Sequence, residues 1–358
     1  MTEARLRIGL FIGGSSSEKE ISLESGRHVY NNLDREKYEI IPIFVDSCHQ
    51  FWQIPEPLMW KNTTKDLEEG LGAGSATRIY WEGLKGLIDF AFIALHGKFG
   101  EDAILGLFEI LNIPSNGASV LGGTLSMDKF TQRKVLMAQG ISVPKHVGIN
   151  LYDFEKDPSR VVSVLEGSLG YPFMVKPSRE GSSTALCKVK SREQVERAFS
   201  EAFKYDNVIL AEEVLEGMEL TDLVYGTRNS VRALPPSQLL KDGDFLTAEE
   251  KFLPGGAQMI TPAPVPEELI KKIQEESMKV FRSLGLKIYS RIDSFLIGDL
   301  KTVAGSKVVI LEPNNPPAMT PSTAIWLQAA EAGFNTSQFL DELISISLKV
   351  HQEKLGPL

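Results

Sequence analysis

Apolar runs and stretches of helical spacing alternate along the first third of the chain. Leu6–Ile12, Glu39–Val45 and Phe90–Leu95 are apolar runs closed by Gly, Asp or His, which predicts buried strands. Between the first two, Glu18–Asn32 has helical spacing, with Ile21, Val29 and Leu33 apolar. Strand alternating with helix predicts a mostly parallel sheet over residues 1–125. The rhythm changes over 126–218. A helix is expected at Ser126–Gln139, stopped by Gly140 and Pro144, and strands at Pro172–Lys176 and Val208–Val214. Ser191 and Gln194 have capping-box spacing ahead of Val195, Phe199 and Phe203. Residues 219–358 carry four more strand patterns, at Glu219–Tyr225, Phe245–Phe252, Lys287–Ile297 and Lys307–Asn314. Glu267–Leu284 and Ser337–Lys354 are amphipathic helices, the second with a core stripe of Phe339, Leu343, Ile346 and Val350. These changes of pattern divide the chain into 1–125, 126–218 and 219–358.

A length of 358 residues suits two or three domains with ample core. The net charge of -9 argues against a nucleic-acid or anionic-membrane partner, though local lysines and backbone amides can still hold a small phosphate ligand. Met1–Gly14 is too short in its apolar run for a signal peptide and reads as a first strand; no run approaches the ~18 apolar residues that span a bilayer. Cys48 and Cys187 are far apart and lack metal spacing, so both read as free thiols in a reducing cytoplasm.

The densest chemistry lies in two strands. Strand period two puts Glu312 and Asn314 on one face of the run that ends at Asn314, and puts Arg291 and Asp293 on one face of the run Tyr289–Leu296. A carboxylate and an amide oxygen are hard ligands that suit Mg²⁺ with phosphates in its other positions. Either strand alone reads as an ordinary strand end; the pair points to a magnesium–nucleotide site.

Weaker signals surround it. Gly13–Gly26 joins a strand to a helix, and Glu18 there could bind a substrate ammonium; an ordinary strand-to-helix turn is the plainer reading. His96 ends another strand between glycines, where it could meet a carboxylate or phosphate. Lys176 precedes a Gly/Ser turn whose Ser182 and Ser183 could wrap phosphate oxygens, although the pattern is not a P-loop. Glu212, with the backbone of Glu213 to Leu215, could read a purine edge, and Glu219 could accept from ribose hydroxyls.

Taken together, these residues resemble D-alanine–D-alanine ligases, members of the ATP-grasp fold. The resemblance covers nearly the whole chain. It runs through Gly13-Gly14 with Glu18–Leu23, Leu95-His-Gly97 with Gly100-Glu-Asp102, Met127-Asp-Lys129, Lys176-Pro177 with Glu180–Ser183, Arg291-Ile-Asp293, and Glu312-Pro-Asn314 with Met319-Thr320. It implies an α/β (α+β) three-domain architecture, with ATP between the central and C-terminal domains. It also implies two D-alanines joined through a D-alanyl phosphate for peptidoglycan synthesis, two Mg²⁺ (or Mn²⁺) ions, and a homodimer. Lys129, Lys176 and Ser183 would meet the phosphates. Glu212, Glu213, Leu215 and Glu219 would hold adenine and ribose beside Phe245. Asp293, Glu312 and Asn314 would bind the metals. Arg291 and the Ala318 N–H would stabilise the oxyanion. Glu18 would bind the first ammonium, with His96 and Ser182 nearby, and Thr323 the second carboxylate. Lys251 would reach the transferred phosphate from a lid, Phe252–Thr261.

The chain also departs from the family pattern. Phe252 stands where a tyrosine is usual, a change that goes with D-lactate as second substrate. Ala318 and Ala185 replace glycines, Asn315-Pro-Pro317 stiffens the oxyanion loop, and Thr323 replaces a serine. A ligase for D-lactate or another acceptor is therefore a second expectation, and a nucleotide-binding homologue with impaired catalysis a third.

Overall fold

A computed structural model describes residues 4–72, 74–240 and 258–354. Three sheets carry the architecture. The first contains β1 (Leu6–Gly13), β2 (Tyr38–Val45), β3 (Phe51–Gln53), β4 (Thr77–Ile79) and β5 (Phe90–Ile93), in the order β4-β3-β2-β1-β5. β1 runs parallel to β2 and β5, while β2–β3 and β3–β4 are antiparallel. The sheet is thus mixed, not mostly parallel. Asp46 explains the reversal after β2. Its carboxylate accepts from the Cys48 and Gln50 N–H groups at 2.9 and 2.8 Å, closing a hairpin turn that needs no crossover helix. At the end of β1, Gly13 has φ +94°, and an added Cβ would sit 2.6 Å from the Val45 carbonyl, so glycine is required there.

The second sheet is antiparallel, with β6 (His146–Asn150), β7 (Phe173–Pro177), β8 (Cys187–Val189) and β9 (Val208–Glu213) in the order β6-β9-β7-β8. The single helix expected over Ser126–Gln139 is two helices, Val120–Met127 and Lys129–Ala138. Asp128 makes the break: its carboxylate accepts from the Phe130 and Thr131 N–H groups, both at 3.1 Å. A short acidic side chain that caps a helix outcompetes one that continues it. Lys129 is thereby placed at a helix start. The capping box expected at Ser191 does not form. Gln194 instead accepts from the Lys190 N–H at 2.7 Å. A complete box stands at Thr63 and Asp66, ahead of the helix Thr64–Leu71.

The third sheet contains β10 (Met218–Thr227), β11 (Ser230–Ala233), β12 (Ser237–Leu239), β13 (Met259–Ile260), β14 (Ile288–Gly298) and β15 (Ser306–Asn314). Its order is β13-β12-β10-β14-β15, with β11 beside β10. The strand expected at Phe245–Phe252, with Phe245, Lys251 and Phe252, lies outside the described residues. The helix Glu267–Ser283 buries Leu269, Ile273, Val280 and Phe281 against one face of this sheet. On the other side, Leu223, Tyr225, Phe339 and Leu343 share one core with Leu10, Ile12 and Phe92 of the first sheet. The second sheet has its own core, including Phe173, Val175 and Phe199. The first and third sheets therefore form one packed body, and a cleft separates it from the second. No helix among the described residues is long and apolar enough to cross a membrane.

Candidate active site

The register of β14 on β15 pairs Arg291 with Asn314 and Asp293 with Glu312. Four chemically active side chains thus meet on one face, and Ile292 between them is fully buried on the other. Arg291 forks onto Asp293, Nε to Oδ1 at 3.0 Å and Nη2 to Oδ2 at 2.8 Å. Asp293 also accepts from the Thr221 hydroxyl at 2.6 Å and from the Asn314 amide at 3.1 Å. Glu312 lies 3.0 Å from the Lys129 ammonium. Both carboxylates are thus balanced by a cation; with the Asn314 amide oxygen they are oxygen donors of the class that divalent cations take, though no group of three or more His, Cys, Asp or Glu side chains that could hold a metal ion is found among the described residues.

From this face a cleft runs between the second and third sheets. Lys129, Lys176, Ser183, Glu212, Glu213, Leu215 and Glu219 all line it, and Glu312 closes one end. Met174, Leu186, Phe295 and Leu311 supply apolar walls. Lys176 and Glu212 are diagonal neighbours across β7 and β9, 2.7 Å apart. Burial lowers the Lys176 pKa, opposed by Glu212.

A second, smaller pocket adjoins the first. Glu18, His96, Glu101, Ser182, Arg291, Asn314, Ala318 and again Glu312 line it. The Ser182 hydroxyl donates to Glu18. Gly181 packs so closely that an added Cβ would stand 2.8 Å from Glu18 Oε2. Burial raises the Glu18 pKa, opposed by the Ser182 bond and Lys129. Burial pushes the His96 imidazole down to about 3, so the ring is neutral near pH 7. It lies 3.0 Å from the Ser25 hydroxyl, which accepts from the Met319 N–H at 3.0 Å.

Glu101 carries no role in the sequence reading, yet it lines this pocket and accepts from the Gly97 N–H at 2.8 Å. Burial, then the neighbouring Glu18, pushes its carboxyl up to about 8. An unfolded glutamate ionises near 4.5. Glu101 therefore favours folding below that pH, and the contribution is lost as pH rises to about 8. Melting midpoints measured across this window should fall more steeply for the unaltered protein than for Glu101→Gln. Parallel curves would refute the assignment.

The Gly/Ser loop is strained. Ser182, Ser183 and Ala185 have φ of 49°, 60° and 51°, a region that costs non-glycine residues energy. Ala185, which the resemblance sets in place of a glycine, thus sits at a glycine-like φ. Ala318, the other replacement, has negative φ and no such strain. The loop is tied to the first sheet's body through Glu180, which lies 2.6 Å from the Lys98 ammonium and accepts from the Ser17 hydroxyl at 3.2 Å. Thr323 is buried and its hydroxyl donates to the Thr320 carbonyl at 3.0 Å; it is not among the residues lining the small pocket.

A family model described as the D-ala D-ala ligase C-terminus matches residues 135–345, and one for the N-terminus matches 7–118. A D-alanine–D-alanine ligase of Natranaerobius thermophilus is 32% identical, over 98% of this chain and 97% of that protein. Among solved structures, a D-alanine–D-alanine ligase from Coxiella burnetii superposes with a TM-score of 0.83 at 28% identity, over 98% of this chain and 97% of that one. The VanG D-Ala:D-Ser ligase of Enterococcus faecalis gives 0.82 at 28%, over 96% and 100%. A Bacillus anthracis D-alanine–D-alanine ligase complexed with ATP gives 0.72 at 26%, over 98% and 99%. The expected α/β ATP-grasp architecture stands, and the chain is an enzyme of the D-alanine–D-alanine ligase family.

Proposed function

We propose that this enzyme joins two D-alanines with ATP, through a D-alanyl phosphate. One observation carries the reading: the lysine-lined cleft and the small pocket meet at Glu312, so a γ-phosphate and a small carboxylate would be brought together there. Lys129 and Lys176 neutralise the phosphates. The first D-alanine is held by its ammonium at Glu18, and its carboxylate attacks the γ-phosphorus, releasing ADP. The amine of the second D-alanine attacks the acyl carbon, and inorganic phosphate leaves. Arg291 and the Ala318 N–H receive the developing oxyanion. His96, being neutral, orients substrate by hydrogen bonding and adds no charge. Divalent cations held by Asp293, Glu312 and Asn314 would draw charge from the phosphates.

Incubation with ATP, Mg²⁺ and D-alanine should release phosphate and yield the D-alanyl-D-alanine dipeptide, identified by mass. Phe252 supports a second reading, in which the acceptor is D-lactate or another small D-configured molecule. Phosphate release that appears only when D-lactate or D-serine is added would favour it. No release with any of these acceptors would overturn both.

A further inference from the structure

We propose that Arg133 is a positioning residue of the nucleotide site: it holds the Glu212 carboxylate so that the Lys176 ammonium is free to meet nucleotide phosphates. The inference rests on the reading of the cleft as an ATP site. Arg133 follows Lys129 by one turn of the helix Lys129–Ala138 and is 0% exposed. Its Nη2 lies 2.6 Å from Glu212 Oε2 and donates to the Leu311 carbonyl at 3.3 Å. Its Nε and Nη1 have no acceptor among the described residues. Guanidinium cannot shed its proton to escape such a site. A buried cation with two unpaired nitrogens is a poor device for stability, and an apolar side chain would fill the space at less cost. Its charge must act on something.

That object is Glu212. The carboxylate is buried between two cations, Arg133 on Oε2 and Lys176 on Oε1 at 2.7 Å. Were Lys176 its sole partner, turning the ammonium toward a phosphate would strand a buried carboxylate, a large penalty. Arg133 removes that penalty, and the three side chains keep one net positive charge for the ligand. The titration behaviour agrees: Glu212 is held below the usual carboxylate range, because Arg133 and then Lys176 overcome its burial. Arg133 is not among the residues lining the cleft, so its effect reaches the ligand through its neighbours.

Calorimetric binding of MgATP, ADP and adenosine to the full chain tests this. Arg133→Met should weaken ATP and ADP by about tenfold or more and adenosine by less than about twofold, since adenosine has no phosphate for Lys176. Arg133→Lys should restore phosphate binding to within about threefold of the unaltered protein. The KM for D-alanine should not move. Unchanged ATP affinity in Arg133→Met would overturn the inference. So would equal loss for all three ligands, which marks a merely structural role. Should the methionine variant fail to fold, Arg133→Gln against Arg133→Lys gives the same contrast, and equal ATP affinities overturn the claim. Absence of ATP binding by the unaltered protein is a separate outcome, and it would sink the nucleotide reading of the cleft and this inference with it.

Discussion

Arg291→Met is expected to lower kcat by roughly a hundredfold or more while leaving the KM for ATP little changed. The reason is preorganisation. Arg291 is only 14% exposed in its side chain, and Asp293 grips two of its nitrogens at 3.0 and 2.8 Å, so the guanidinium does not have to reorganise when an oxyanion forms. Burial lowers its pKa, but Asp293 more than offsets that and raises it. Charge that is fixed and desolvated acts mainly on the transition state, so the loss should fall on kcat. Arg291→Lys keeps a charge but loses the planar fork, and should be intermediate. Steady-state rates at saturating ATP and D-alanine decide the matter. Turnover of the methionine variant close to the unaltered rate would remove Arg291 from the reaction.

Glu312→Gln should lower kcat/KM by roughly a hundred- to a thousandfold, and it should raise the Mg²⁺ concentration needed for half activity by about tenfold. Glu312 is the residue on which both pockets converge, and its carboxylate lies 3.0 Å from Lys129. Glutamine preserves shape and removes the charge. Lys129 keeps its bond to the Glu180 carbonyl at 2.6 Å, so the local fold should survive. A magnesium titration of activity measures the shift. An unaltered titration with normal turnover would show that Glu312 is not a metal ligand.

The face that carries Arg291, Asp293, Glu312 and Asn314 was legible because it is local. Alternation in two strands predicts which of Arg291, Ile292 and Asp293, and which of Glu312 and Asn314, share a side. The register then aligned them without further assumptions. The break at Asp128 was missed because apolar periodicity runs through it, while a capping side chain acts on two backbone amides that periodicity does not see. The reversal into β3 was missed for the same kind of reason, since Asp46 bonds the turn rather than marking a pattern.

By itself, the sequence determined the long strands β1, β2, β10, β14 and β15, the pairing of chemistry within β14 and β15, and the motifs that resemble the ligase family, because each is written in neighbours a few positions apart. Only the tertiary structure decided that Ser25 would serve Met319, 294 positions away, that Glu101 would stand beside Glu18 with a raised pKa, and that Arg133 would back Glu212. A polar residue on a helix reads as solvated until packing removes its water. Burial belongs to the surroundings, and those surroundings are assembled from all three sheets.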